Sequence, residues 1–324
     1  MPSENRSRLL YIMKYLWEQT DENHPVTIAD IMTYLDGMNI KTNRKTVSDD
    51  IEQLQESGFD IVCNKSRQNQ FFIGARTLEL PELKMLVDAV QAARFITLKK
   101  SKELIDSLSA LTSTYQAKEL NRKLYVDGRV KSANENIYYS IDLLHAAINC
   151  GNKVRFQYYE NTAEKKRVLK HKGQVYVFSP YDLVWYNDSY YVFGYSEGNN
   201  HDKVIKFRVD RMHKPSVIKD KPIPQPKDYN IATYCKKVFS MFDGDDCTVE
   251  LQCENSLMKT IIDRFGSKVQ TRTADCGHFI TTVEVSASAT FYAWVFMFAG
   301  KIKILSPSEV KDKYQQMLQH AIKG

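Results

Sequence analysis

Nothing in the 324 residues is apolar for long enough to cross a bilayer. A span needs roughly 20 consecutive apolar residues, and no run here approaches that. The opening Met-Pro-Ser-Glu-Asn-Arg-Ser-Arg lacks the apolar centre of a signal peptide, so a cytoplasmic, membrane-free protein is expected. Cysteine is scarce: there are six, with no Cys-x-x-Cys, and the nearest pair is Cys247 and Cys253. Such usage suits reduced thiols, not a disulfide framework or a zinc site. Catalytic signatures are missing as well: no Gly-x-Ser-x-Gly elbow, no phosphate-cradling loop, no His-Glu-x-x-His helix, no Gly-x-Gly-x-x-Gly turn. The seven histidines, among them His145, His171, His201, His213 and His278, are dispersed without ligand spacing. Neither an enzyme nor a metal or cofactor is expected.

What is present is an ordinary mixture, 43% hydrophobic and 26% charged, long enough for two or three domains. The net charge of +6 is mild, but it is unevenly spread. From Lys153 to Lys237 there are seventeen Lys and Arg against nine Asp and Glu, a surplus larger than that of the whole chain. A positive field of this kind attracts phosphates, nucleotides or nucleic acid strands. Part of it falls in the Pro-rich stretch Lys219 to Lys227, read as a linker outside any folded element.

Inside this basic region, Val175 to Met212 holds three apolar runs of strand length. They are separated by Asn187-Asp188-Ser189 and by a polar break that begins at Glu197-Gly198-Asn199-Asn200, as in an antiparallel meander. Tyrosines alternate with Val and Phe, and the last run sets Phe207 and Val209 on one face and Lys206 and Arg208 on the other, with Arg211 at the strand end. Tyr158, Tyr181, Tyr190, Tyr191, Lys206, Arg208 and Arg211 are therefore expected to form one aromatic and cationic patch on a small barrel, suited to stacking and hydrogen bonding with an anion.

Pro180, Leu183, Tyr190-Tyr191-Val192, Gly194 and Phe207-Arg208-Val209-Asp210-Arg211-Met212 together resemble the WYL domain. That family is named for a Trp-Tyr-Leu triplet, which is Tyr-Tyr-Val here. The resemblance implies a helix, matched by Ile137 to Cys150, followed by an Sm-like, SH3-type β-barrel that serves as the sensor of bacterial transcription regulators.

The N-terminal stretch has the spacing of three helices: Arg6 to Gln19, a second from an N-cap at Thr27 with Asp30 three residues on, and a third opening near Thr42 and ending at Ser57-Gly58. A hairpin follows over Phe59 to Ile73, completing a winged helix-turn-helix. Residues 1–73 carry eight Lys and Arg against eleven Asp and Glu, so the argument for DNA rests on position. Lys41, Arg44 and Lys45 stand at the start of the third helix, Lys65 and Arg67 at the wing tip. Arg44, Lys45, Thr46, Ser48 and Asp49 are candidate groove readers or phosphate contacts. Asn43 to Ile51 also resembles the recognition helix of regulators that carry WYL domains.

Residues 76–136 read as a helical connector. One helix opens at Leu80-Pro81-Glu82 with Leu83, Leu86, Val87, Val90 and Phe95 inward; another runs from Ser101 to Tyr115 with Leu104, Ile105, Leu108 and Leu111 inward; a polar stretch follows to Asn136. Beyond the linker, strand-helix-strand-helix patterning from Thr233 predicts a small α+β sandwich. Trp294, Gly300 and Leu305 to Glu309 resemble the C-terminal extension that follows WYL domains, which implies dimerisation.

The expected fold is thus an α+β multidomain chain. A winged helix-turn-helix occupies 1–75, the connector 76–136, the WYL barrel 137–220, a linker 221–232 and the α+β extension 233–324. The expected function is a homodimeric regulator of double-stranded DNA that senses an anionic effector, a nucleotide or single-stranded nucleic acid. An alternative stays open: an accessory protein whose barrel holds single-stranded nucleic acid and whose N-terminal module docks on a protein.

Overall fold

The computed structural model describes residues 2–65, 67–120, 131–132, 134–197, 204–242 and 244–323. It divides into two compact units, residues 1–139 and 140–324, both of mixed α and β structure.

The first unit opens with α1 (Pro2–Gln19), the two-residue strand β1 (Val26–Thr27), α2 (Ile28–Gly37), α3 (Arg44–Glu56), β2 (Ile61–Asn64) and β3 (Gln70–Ile73). The three strands form one sheet in the order β1-β3-β2, a winged-helix-like arrangement. Sequence explains each boundary. Thr27 accepts the Asp30 N–H while the Asp30 carboxylate takes the Thr27 N–H at 2.8 Å, a reciprocal cap that starts α2. The Asn43 side chain caps α3 through the Thr46 N–H at 3.0 Å. Ile12, Leu16, Ile31, Leu35, Val47, Ile51 and Phe71 are buried together as the core of this domain.

The connector consists of α4 (Leu80–Ala92), α5 (Leu98–Ser109) and α6 (Thr114–Leu120). Two expectations are corrected here. The single helix expected over Ser101 to Tyr115 is two, because Ala110 to Ser113 break it and Thr112 and Ser113 are buried at the break. Leu86 and Leu111, expected inward, are exposed, while Leu83, Val87 and Leu120 form the core. The polar stretch toward Asn136 falls largely outside the described residues, namely Asn121 to Val130 and Ala133.

The second unit begins within α7 (Ile137–Asn149), which packs Leu144 and Ala147 onto a six-stranded antiparallel sheet. The strands are β4 (Lys153–Asn161), β5 (Arg167–Leu169), β6 (Tyr176–Tyr186), β7 (Ser189–Ser196), β8 (Ile205–Arg208) and β9 (Met212–Ile218). Their order is β5-β4-β6-β7-β8, with β9 also paired to β4. The β6–β7 turn is the pair Asn187 and Asp188, both at positive φ (45° and 57°), as a two-residue hairpin with primed-turn geometry requires. The second expected turn lies mostly outside the described residues, at Gly198 to Asn200. Val209, expected in the last strand, is instead the first residue of a short 3-10 turn and fully buried. At Gly194 a side chain has no room, since a Cβ would stand 2.1 Å from the Ser179 carbonyl.

The stretch expected to be a free linker contains no helix or strand over residues 219–230, yet it is held against this sheet. The Ile223 N–H donates to Ser179 Oγ at 3.0 Å, and the Tyr181 hydroxyl donates to the Pro224 carbonyl at 3.1 Å. The chain continues through α8 (Ile231–Lys237) into β10 (Asp245–Glu254), α9 (Met258–Phe265), β11 (Gln270–Asp275), β12 (His278–Ala287), α10 (Ala289–Phe296), β13 (Ile302–Ser306) and α11 (Ser308–Lys323). The sheet order is β11-β12-β10-β13. Phe291, Tyr292 and Val295 of α10 are buried on its inner face. Among the described residues no helix is long and apolar enough to cross a membrane.

Candidate nucleic-acid interface and ligand face

On α3 the spacing of three and four residues sorts side chains into two sets. Val47, Asp50, Ile51 and Leu54 are buried, whereas Arg44, Lys45, Ser48 and Asp49 are exposed. Thr46 is half-buried, its N–H taken by the Asn43 cap. Lys41 precedes the helix and is exposed, as are Lys65 and Arg67 on either side of the wing tip; Ser66 between them lies outside the described residues. The outer surface of the helix and the wing therefore present the expected side chains to solvent.

Its inner surface carries a feature the sequence reading missed. Arg8 of α1 makes a two-pronged pair with Asp50, Nε to Oδ2 at 2.5 Å and Nη2 to Oδ1 at 3.0 Å. The two side chains are only 12% and 8% exposed. Donating to the Asp50 carboxylate raises the guanidinium pKa above its usual value, against the opposing effect of burial. A signal existed: Asp50 stands at a core position of the 47, 50, 51, 54 series, and a carboxylate there needs a partner.

The sheet of the second unit separates the seven expected effector residues, so the single patch is corrected. Val154, Phe156, Tyr176 and Phe178 face the core, and Tyr158 joins them, its ring centroid 5.0 Å from that of Phe207. The Tyr158 hydroxyl accepts the Arg208 backbone N–H at 3.0 Å, and burial raises its pKa. Tyr190 packs on the same core and stacks on Trp185 at 6.0 Å. Tyr181 is 5% exposed, beneath Pro224 and Tyr229. These three phenols are packing residues.

Tyr191, Lys206 and Arg208 do share a face, because Tyr191 pairs with Arg208 and Phe193 with Lys206 across β7 and β8. That face meets α8 and the chain after it: Phe193, Val238 and Met241 are buried together, and the Lys206 ammonium donates to the Tyr234 hydroxyl. Arg208 is held by Asp210, Nε to Oδ1 at 3.0 Å and Nη2 to Oδ2 at 2.8 Å, and this hydrogen bonding raises its pKa. Arg211 is exposed.

Three side chains not singled out from sequence extend this cationic edge. Arg167 donates to the Asp210 carbonyl at 2.6 Å and lies 4.0 Å from the centroid of the Tyr159 ring. The Tyr159 hydroxyl is 2.7 Å from His213 Nδ1. Arg167, Arg208, Arg211 and His213 thus gather around the Asp210 segment. Only the pairing of β4 with β5 and β9 brings them there, which no local pattern announces.

Residues 140–217 match the WYL domain, residues 245–322 the WCX domain, and residues 5–66 the D3 domain of FokI. Among curated proteins none matches. Similar solved structures include the following two. Proteasome accessory factor B/C (PafBC) of Arthrobacter aurescens is 15% identical with a TM-score of 0.29, over 97% of this chain and 46% of that one. A CRISPR Cas-related protein is 12% identical with a TM-score of 0.38, over 99% and 84%. The chain thus spans about half the length of the first.

Proposed function

We propose that the chain, whose residues 140–217 match the WYL domain and 245–322 the WCX domain, is a transcription regulator of the WYL-domain family that binds double-stranded DNA as a homodimer under the control of an anionic effector. The observation that carries the reading is α3: its inner side is locked to α1 by the Arg8–Asp50 pair, while Arg44, Lys45 and Ser48 stand exposed on the other. A helix so fixed enters a major groove at one angle, with guanidinium reading base edges and Lys, Ser and the wing residues Lys65 and Arg67 fixing phosphates. The WCX domain joins two copies, so the two winged helices read half-sites related by a two-fold axis.

The six-stranded sheet acts as the Sm-like, SH3-type sensor barrel. The effector, a nucleotide or single-stranded nucleic acid, engages Arg167, Arg208, Arg211 and His213 at the cationic edge, with Tyr191 and Lys206 on the adjoining face. It regulates only by binding two arrangements of the protein with different affinity. Fluorescence anisotropy with duplex from the chain's own promoter tests the reading. Arg44→Ala with Lys45→Ala should weaken duplex binding at least tenfold and flatten its salt dependence. Arg167→Ala with Arg211→Ala should leave duplex binding intact and abolish the response to effector. No duplex binding by the intact chain at modest salt would overturn the reading and favour the accessory single-strand binder.

A further inference from the structure

The first unit contains a recess of about 560 Å³ where the winged helix meets the connector. Its size suits a small molecule, for which sites of roughly 300–1,000 Å³ are usual. Arg76 runs along its wall. One end of the guanidinium is committed: Nη2 donates to the Trp17 and Thr20 carbonyls at 2.7 and 2.8 Å, and the group lies 4.6 Å from the centroid of the Trp17 ring. The other end is not, for Nη1 is buried without an acceptor among the described residues. A buried, charged donor left unmatched is costly and is satisfied best by a carboxylate.

The remaining lining defines what such a carboxylate belongs to. Leu78 and Leu80 offer apolar surface, and the exposed Glu22 and Glu79 set two acidic groups beside the one guanidinium, Asp21 being already held by Ser113, Asn23 and His24. That balance repels polyanions such as nucleotides and favours a ligand that carries its own cation. The geometry points to a second ligand site in this recess, for a small zwitterion of the amino-acid class with an apolar side chain. The carboxylate meets Arg76 Nη1, the side chain lies on Leu78 and Leu80, and the ammonium faces the acidic lining. Because the lining comes from α1's C-terminal loop, the wing's end, α4 and α6, an occupant binds the DNA-reading domain to the connector. This site is independent of the cationic edge on the second unit.

Isothermal titration calorimetry of the full chain tests it with three probes: L-leucine, its amine-free analogue 4-methylpentanoate and its carboxylate-free analogue 3-methylbutylamine. L-leucine should bind saturably, at least tenfold tighter than either analogue. Arg76→Gln should weaken it at least tenfold. Ala75→Trp, which adds bulk at an exposed lining position without removing an anchor, should abolish it while leaving the thermal midpoint unchanged. The proposal is overturned if the intact chain gives no saturable heat with L-leucine, if an analogue binds as tightly, or if Ala75→Trp binds as the natural chain does. Duplex binding enters none of these readouts, so the DNA-binding reading stands or falls separately.

Discussion

Two arginine–aspartate pairs of the same geometry sit in the two units and differ in what surrounds them. Arg8 and Asp50 are 42 positions apart in the chain and nearly closed off from solvent, at 12% and 8% exposure. Arg208 and Asp210 are two positions apart and about a third exposed, at 32% and 29%. A guanidinium and a carboxylate gain little from each other in water and much when both are desolvated. The first pair therefore fixes α3 against α1. The second can surrender its arginine to a competing anion at small cost.

The sharpest way to break this contrast is to remove one partner of the closed pair. Arg8→Ala strands the Asp50 carboxylate in the core and should destabilise the N-terminal domain by about 3–5 kcal/mol, read as a drop of its transition in scanning calorimetry. Arg8→Met with Asp50→Leu should recover most of that loss; if the single variant is as stable as the natural chain, the pair is not what anchors α3.

A buried carboxylate held without a guanidinium makes an intermediate case. Asp21 accepts from Ser113 Oγ at 2.5 Å, from the Asn23 N–H at 3.0 Å and lies 2.7 Å from His24 Nδ1. Burial pushes its pKa up, but the hydrogen bonds from Ser113 and His24 outweigh burial and leave it below the ordinary carboxylate range. Ser113→Ala should cost about 1.5–3 kcal/mol at neutral pH. Since the folded-state pKa is depressed, this stabilisation is complete above the unfolded carboxylate's pKa and fades as pH falls through the folded one. Thermal midpoints of the two proteins should converge in acid, and a gap that persists unchanged there would assign the loss to packing.

The smallest effect is expected at the open pair. Asp210→Asn should change stability by about 0–1 kcal/mol and, by releasing Arg208, tighten binding of a short single-stranded oligonucleotide a few-fold in a filter or anisotropy assay. Weaker binding would show that Asp210 organises the cationic edge and does not mask it.

Much of the fold could be read from local signals. The reciprocal cap at Thr27 and Asp30, the periodicity of α1 to α3 and the Asn187-Asp188 turn are each decided by neighbours a few residues apart. β11 escaped because all its residues, Gln270 to Asp275, are exposed and show no apolar alternation. The helix break at Ala110 to Ser113 escaped because it contains neither Gly nor Pro, and its polar side chains are buried against the N-terminal domain.

The expected aromatic and cationic patch broke up for a more instructive reason. Tyr176 and Phe178 point to the core, but so does Leu183, because the register shifts at Tyr181 between Pro180 and Asp182. One extra residue reverses the inward parity of everything after it. Counting alternate positions from the start of β6 therefore assigns the later aromatic residues to the wrong side. The clustering of Arg167 and His213 with Arg211 depends on pairing across more than forty residues, and no window of sequence contains it.

If the effector proposed above engages the face of Tyr191 and Lys206, the hydrogen bond from Lys206 to Tyr234 gives that face a mechanical outlet. Tyr234 lies on α8, the last helix before the C-terminal sheet, so a negatively charged guest that recruits the lysine takes it from that helix. On that reading, occupancy would be transmitted as a loosened latch at the root of the neighbouring domain, without any strand of the sheet having to move.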